Sequence, residues 1–186
     1  FDAGSPAGPM IEPLVTVTRR GVERLERGHP WIYRSDVEKA PASLEGGEVV
    51  ALVDGRRRFQ GKAFWSARSQ IALRLLTREE VPVDDAFLED RIRRAAALRD
   101  QLFPGEPSVR LVHGEADLLP GLVVDRYGSA AVLQTLVPGT ERRKDFLADL
   151  LVNAFGVQAV VERNDVRVRE LEGLPVQKGI LRGALS

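Results

Sequence analysis

Between Arg19 and Arg34 the chain sets Arg19, Arg20, Arg24, Arg27 and Arg34 beside His29, Trp31 and Tyr33. Guanidinium groups pair with phosphates and aromatic rings stack on unpaired bases, so this mixture offers the chemistry of RNA binding. A second reading stands beside it: Trp31 and Tyr33 are core aromatics, and the arginines form a solvated face paired to Glu23 and Glu26. His29 has no partner in sequence that would orient it as a general base. The run Arg56-Arg57-Arg58 follows Asp54-Gly55 in a predicted turn, where it is either solvated or adds a phosphate contact.

The other candidates are His113, Glu115, Asp117 and Asp125. Carboxylates so close together serve as metal ligands, as the acid/base pair of a small complete hydrolase, or as turn caps that hold backbone N–H donors. Their surroundings predict strand, turn, strand. A further apolar run, Ala130 to Val137, follows Gly128-Ser129, so Val109 to Val137 reads as a three-stranded meander.

Leu14–Thr18 alternates as a strand, and Gly21–Arg27 has Val22 and Leu25 at helical spacing before Gly28. Runs 48–54, 59–65 and 70–77 read as strands broken by Gly46-Gly47, Asp54-Gly55 and Ser66-Ala67. Several short strands and one small helix suggest a small β-barrel. Glu79–Pro82 reads as a linker into a helix from Asp84 to Phe103, with Leu88, Ile92, Ala95, Leu98 and Leu102 as its buried stripe. Thr140 is the expected N-cap of a helix running to Phe155, and Val157–Glu162 the next strand. Residues 179–186 look like a strand without a pairing partner. This second half reads as one sheet covered by helix, an α+β arrangement.

The whole fits a globular chain of one or two domains: 186 residues, 44% hydrophobic and 29% charged. No apolar run approaches the ~20 residues that span a bilayer. A net charge of zero hides an asymmetry. Leu14 to Arg78 carries 13 Lys and Arg against 7 Asp and Glu, whereas Glu79 to Ser186 carries 14 against 18. The split points a polyanion partner, if one binds, to the first half. Cysteine is absent, which excludes disulfides and thiolate metal sites and fits a reducing cytoplasm. Residues 1–9 have no basic or apolar leader region and precede the only methionine, Met10, so they read as a vector-derived scar.

Taken as letters, Gly114-Glu115-Ala116-Asp117 and Leu119-Pro120-Gly121-Leu122-Val123-Val124-Asp125-Arg126-Tyr127-Gly128 resemble the middle of the large-subunit rRNA methyltransferase I-like family. Arg27-Gly28-His29-Pro30-Trp31-Ile32-Tyr33 upstream, and Glu162-Arg163-Asn164-Asp165 with Arg169, Glu172, Gly173 and Leu174 downstream, follow the same order and spacing. The resemblance runs from about Leu14 onward. It implies a PUA-like, RNA-binding β pseudo-barrel over 10–80 and a central α+β domain over 84–186. The implied parent enzyme uses S-adenosylmethionine to methylate carbon 5 of a cytosine in 23S rRNA.

The chemistry of that reaction requires a nucleophile at carbon 6, a role suited to a cysteine thiolate, and this chain has none. It also lacks the strand ending in a Gly-rich loop that a Rossmann-like cofactor domain would show. The expectation is an N-terminal portion whose catalytic domain lies elsewhere, with no catalytic, cofactor or metal site of its own. Its expected partners are 23S rRNA and that catalytic domain, and homo-oligomerisation is left open. A protein-interaction module using β edges, with an apolar patch near Ile180–Leu185, is the remaining alternative. Where the family usually has Gly this chain has Leu118, so a turn of altered shape is expected there.

Overall fold

The computed structural model describes residues 12–184. The assigned scar at 1–9, the domain start at 10 and the end of the 179–186 segment lie outside the described residues. No helix among the described residues is long and apolar enough to cross a membrane.

The first domain contains β1 (Leu14–Val17), α1 (Arg19–Glu26), β2 (Trp31–Tyr33), β3 (Val37–Lys39), β4 (Val49–Val53), β5 (Phe59–Trp65) and β6 (Ile71–Thr77). They form one sheet in the order β2-β6-β5-β4-β1-β3. All its pairings are antiparallel except β1 with β4. The edge strands β2 and β3 are joined by only a 3-10 turn, Arg34–Asp36, so the sheet must curl until its edges lie one turn apart. Register shifts at Thr16/Val17, Leu52/Val53 and Lys62/Ala63 supply the bend. The result is a curled half-barrel. Inside it Val15, Val17, Leu25, Ile32, Val50, Leu52, Ala63 and Leu73 are buried together.

The second domain runs α2 (Asp85–Leu102), β7 (Ser108–His113), β8 (Leu122–Tyr127), β9 (Ala130–Thr135), α3 (Pro138–Glu141), α4 (Lys144–Phe155), β10 (Ala159–Asn164), α5 (Val168–Leu171) and β11 (Gln177–Arg182). Its sheet order is β11-β10-β9-β8-β7. The predicted meander is there as β7, β8 and β9. β9 and β10 lie parallel, which requires the crossover that α3 and α4 provide. Leu88 and Ile92 of α2 and Leu147, Ala148 and Leu151 of α4 share one core with Leu111, Val124, Leu133 and Val160 of the sheet.

Three expectations are corrected. The terminal strand does have a partner, because β11 pairs antiparallel with β10, Ile180 lying opposite Val161. Its alternation was weakened by Gly179, which hid the pairing from sequence. The helix expected from Thr140 to Phe155 is two helices, α3 and α4. Thr140 lies inside α3 and its hydroxyl donates to the Val137 and Gly121 carbonyls instead of capping. The left-handed Gly156 ends α4 as anticipated.

The two domains meet over a joint of mixed character. Phe64, Leu76, Val83 and Val137 form a small apolar core across it. Gly139 lies so close to the Phe64 ring that a Cβ there would approach it to 2.3 Å, which no side chain tolerates. Beside this contact Glu172 is buried: its carboxylate accepts from Arg74 Nη2 at 2.5 Å and Ser66 Oγ at 2.6 Å. Truncating Glu172 to Ala would leave the buried Arg74 guanidinium with only a 3.7 Å ion pair to Glu115, and we expect Glu172→Ala to cost about 3–5 kcal/mol. Replacing the pair together, Arg74→Met with Glu172→Leu, should cost much less. Urea unfolding of both variants checks the difference.

Candidate nucleic-acid interface

Helix α1 begins at Thr18, whose hydroxyl accepts from the Gly21 N–H. The helix is anchored on its inner side by Asp36, a fully buried carboxylate in the turn between β2 and β3. Asp36 Oδ1 accepts from Arg20 Nε at 2.5 Å and from the Thr18 hydroxyl at 3.3 Å, and Oδ2 lies 3.6 Å from Arg24 Nη2. A buried carboxylate thus holds the guanidiniums of two arginines, Arg20 largely exposed and Arg24 partly so. Sequence reasoning passed over Asp36, since a lone Asp after Arg34-Ser35 carries no spacing signal.

The other arginines of the segment divide by role. Among the described residues Arg19 pairs only with Glu23, and it is almost wholly exposed. Arg27 is exposed and has no ion-pair partner among the described residues. Arg78, which the sequence did not single out, donates to the Leu25 carbonyl at 2.7 Å and so adds a cation beside the C-terminal end of α1. Arg34 turns inward, donating to the Ser69 and Ser66 carbonyls and lying over the Trp65 ring.

The rings are half-buried. Arg24 covers Tyr33 at 4.8 Å. Trp31 sits at the domain joint: its indole N–H donates to Glu115 Oε1 at 2.8 Å, and Arg74 lies 5.6 Å from its ring centre. It is thus neither a barrel-core residue nor a free stacking platform. His29 packs edge-on against Trp31 and its Nδ1 accepts from the Trp31 backbone N–H.

In the turn after β4, Asp54 accepts from the Arg56 and Arg58 N–H groups and from Arg58 Nε at 2.6 Å. The Arg58 N–H foremost, against the opposing effect of burial, holds the Asp54 carboxyl below its ordinary range. Arg56, Arg57 and Arg58 are exposed around it.

The acidic candidates of the second domain are each committed to separate partners. Asp117 holds Arg99 in a two-pronged pair at 2.6 and 2.7 Å and caps the His113 N–H. Asp125 holds Arg110 at 2.8 and 3.0 Å, while Glu115 holds Trp31. His113 is exposed. Nothing here brings two carboxylates together as acid and base, so the geometry speaks against hydrolase chemistry at this place.

The downstream motif is structural as well. Arg169 is fully buried and donates to Glu141 at 2.9 Å and to the Thr135 and Pro175 carbonyls. Lys144 bridges Glu141 and Glu162 at 2.9 and 3.0 Å. Asn164 ties Glu162 to both the N–H and the hydroxyl of Thr135. The network clamps the ends of β9 and β10 to α3 and α5.

A curled sheet with an arginine-bearing helix over one end defines a PUA-like domain, and residues 15–78 match the model of that domain. Over 93% of its length the chain is 35% identical to the ribosomal RNA large subunit methyltransferase I of Salmonella arizonae, and it is 38% identical to that of Shewanella amazonensis over 87%. It spans only 44% and 41% of those relatives. Two solved structures share the fold at 16% identity: a protein from Streptococcus mutans described as a SAM-dependent methyltransferase, TM-score 0.73, and a methyltransferase complexed with SAH, TM-score 0.75. Each is covered over less than half of its chain, 44% and 43%.

Leu118, where glycine was expected, adopts the left-handed conformation itself, with φ 57°. An Arg91 hydrogen bond to the Leu118 carbonyl helps hold this conformation. The side chain is 58% exposed, so little packing is at stake. Leu118→Gly should stabilise the chain by about 0.5–1 kcal/mol by removing this strain, less glycine's backbone entropy; a rise in thermal midpoint checks it.

For Glu141, burial pushes the carboxyl up, but hydrogen bonds from Arg169, Thr135 and Lys144 outweigh it and hold the group below its ordinary value. The folded state then releases this proton more readily than the unfolded chain. The stability so gained is present above the ordinary carboxylate range and lost as pH falls through the folded value. The stability difference between wild type and Glu141→Gln should accordingly shrink between about pH 5 and pH 3 in denaturant titrations.

Proposed function

We propose that this chain is the RNA-recognition portion of an S-adenosylmethionine-dependent methyltransferase that modifies a cytosine of 23S rRNA. The observation that carries this reading is the set of α1 arginines oriented from below by buried Asp36, on a domain matching the PUA-like model. The relatives' printed name supports the substrate class.

In this reading Arg19, Arg20, Arg24, Arg27 and His29 meet RNA. Trp31, Tyr33 and Arg34 brace that surface from beneath. The second domain carries the RNA surface at a fixed angle through the Glu172 joint, and converts encounter with RNA into an oriented one for a catalytic domain that holds the cofactor. Arg19 and Arg27 are the substitutions of choice for a test, because neither supports the fold.

Anisotropy titration of labelled 23S rRNA fragments at two salt concentrations should show affinity falling with salt, as counterion release requires. Arg19→Ala with Arg27→Ala should weaken binding to all sequences alike and lower the salt slope by about one for each arginine. Absence of binding at low salt, or binding indifferent to salt, would sink the proposal.

A further inference from the structure

Beside α1 lies a cavity of about 510 Å³ lined by Arg20, Glu23, Arg24, Arg27, Gly28 and His29. Three arginines line it with one carboxylate, Glu23, which Arg19 engages at 2.9 Å, while Asp36 pairs with Arg20 and Arg24 from behind and leaves Arg27 without a counter-charge among the described residues. Arg24 Nε is buried and has no hydrogen-bond partner among the described residues.

The state of His29 is set from behind. Its Nδ1 accepts the Trp31 backbone N–H at 3.1 Å, which requires a lone pair on that nitrogen. The neutral ring must then carry its proton on Nε2, making Nε2 a donor. An edge contact to Trp31 at 5.7 Å and a tilted one to Tyr33 at 6.5 Å hold the ring's orientation. All four of these side chains, the three arginines and the imidazole, offer donors to a ligand, and none of them offers an acceptor.

We infer that this cavity is a preformed pocket for a single phosphate group, and that His29 Nε2 is a fixed donor to one of its oxygens beside Arg24 and Arg27. The inference rests on the proposed RNA-binding role and deepens it: the phosphate is that of an unpaired RNA strand, and His29 sets how firmly it is held. A phosphate takes donors at every oxygen, which suits a pocket whose carboxylate is occupied elsewhere. The volume admits the phosphate together with its ribose.

The test uses the full chain and three probes: inorganic phosphate, uridine 5′-monophosphate and a single-stranded 12-nucleotide RNA. Binding is followed by anisotropy for the RNA and by the His29 ring signals in heteronuclear NMR for all three. His29→Phe, which keeps a ring but no donor, should weaken RNA binding by about tenfold, the order expected for one hydrogen bond to a charged group. His29→Gln, which restores a donor, should recover most of it.

If His29→Phe binds RNA like the wild type while Arg19→Ala, outside the pocket, loses affinity, the pocket assignment is overturned and the RNA-binding role survives. Equal losses in the Phe and Gln variants, with a lowered thermal midpoint, would make His29 a packing residue and likewise overturn it. A His29 ring that responds to inorganic phosphate but not to RNA would reassign the cavity to a free anion. Should wild type bind no RNA at any salt concentration, the functional reading itself fails, and the inference with it. A response to both the mononucleotide and the 12-mer, stronger for the latter, is the expected outcome.

Discussion

The carboxylate of Glu172 crosses from the second domain into the end of the first sheet, and the relation between the two halves depends on it. Arg74 and Ser66 are both buried there, so neither can turn to water if the carboxylate leaves. Desolvated charges tolerate little displacement. Around this point Phe64 on Gly139 and Trp31 on Glu115 add contacts that have no slack. A joint that combines a buried ion pair, a ring on a glycine and an indole hydrogen bond restricts the angle between the two sheets more than apolar packing alone would.

The same device recurs at smaller scale under α1. Asp36 is to Arg20 and Arg24 what Glu172 is to Arg74: a buried acceptor that removes the freedom of a long cationic side chain. An arginine loses rotamer entropy when it grips a ligand, on the order of 2 kcal/mol at most. Orienting it in advance moves that cost into folding. Arg19 and Arg27, held by a single exposed carboxylate or by none, remain mobile and contribute mainly charge. The surface therefore combines preset donors with adaptable ones.

Much of the architecture could be read from local pattern. β1, β4, β5, β6 and the meander stand out as apolar runs between turn signals, and α2 by its span from Asp84 to Phe103, because these signals reside in neighbouring residues. Of the expected stripe of α2, Leu88, Ile92 and Ala95 are buried, whereas Leu98 and Leu102 in the last turns are exposed. β3 escaped notice, since Val37-Glu38-Lys39 is too short and too polar to alternate. The break between α3 and α4 escaped too; no proline or glycine marks Arg142-Arg143. For the site, residue types pointed to the right stretch, but the division of labour did not show. Trp31 is committed to Glu115, 84 residues away, and Arg34 to carbonyls more than 30 residues away. Long-range partners of that kind leave no trace in spacing. Nor did the Glu162, Asn164 and Arg169 motif announce itself as a clamp on strand ends, because its acceptors are backbone carbonyls as much as side chains.

The separation of the joint's partners in sequence also has a temporal side. Glu172 lies 98 residues beyond Arg74 and 106 beyond Ser66. On a ribosome adding about 5–20 residues per second, the half-barrel is made some 5–20 seconds before Glu172 exists. During that interval the end of the sheet that carries Arg74 is uncovered, and its guanidinium stays in water. Closure of the joint therefore waits on the last tenth of the chain, which sets the order in which the two halves mature.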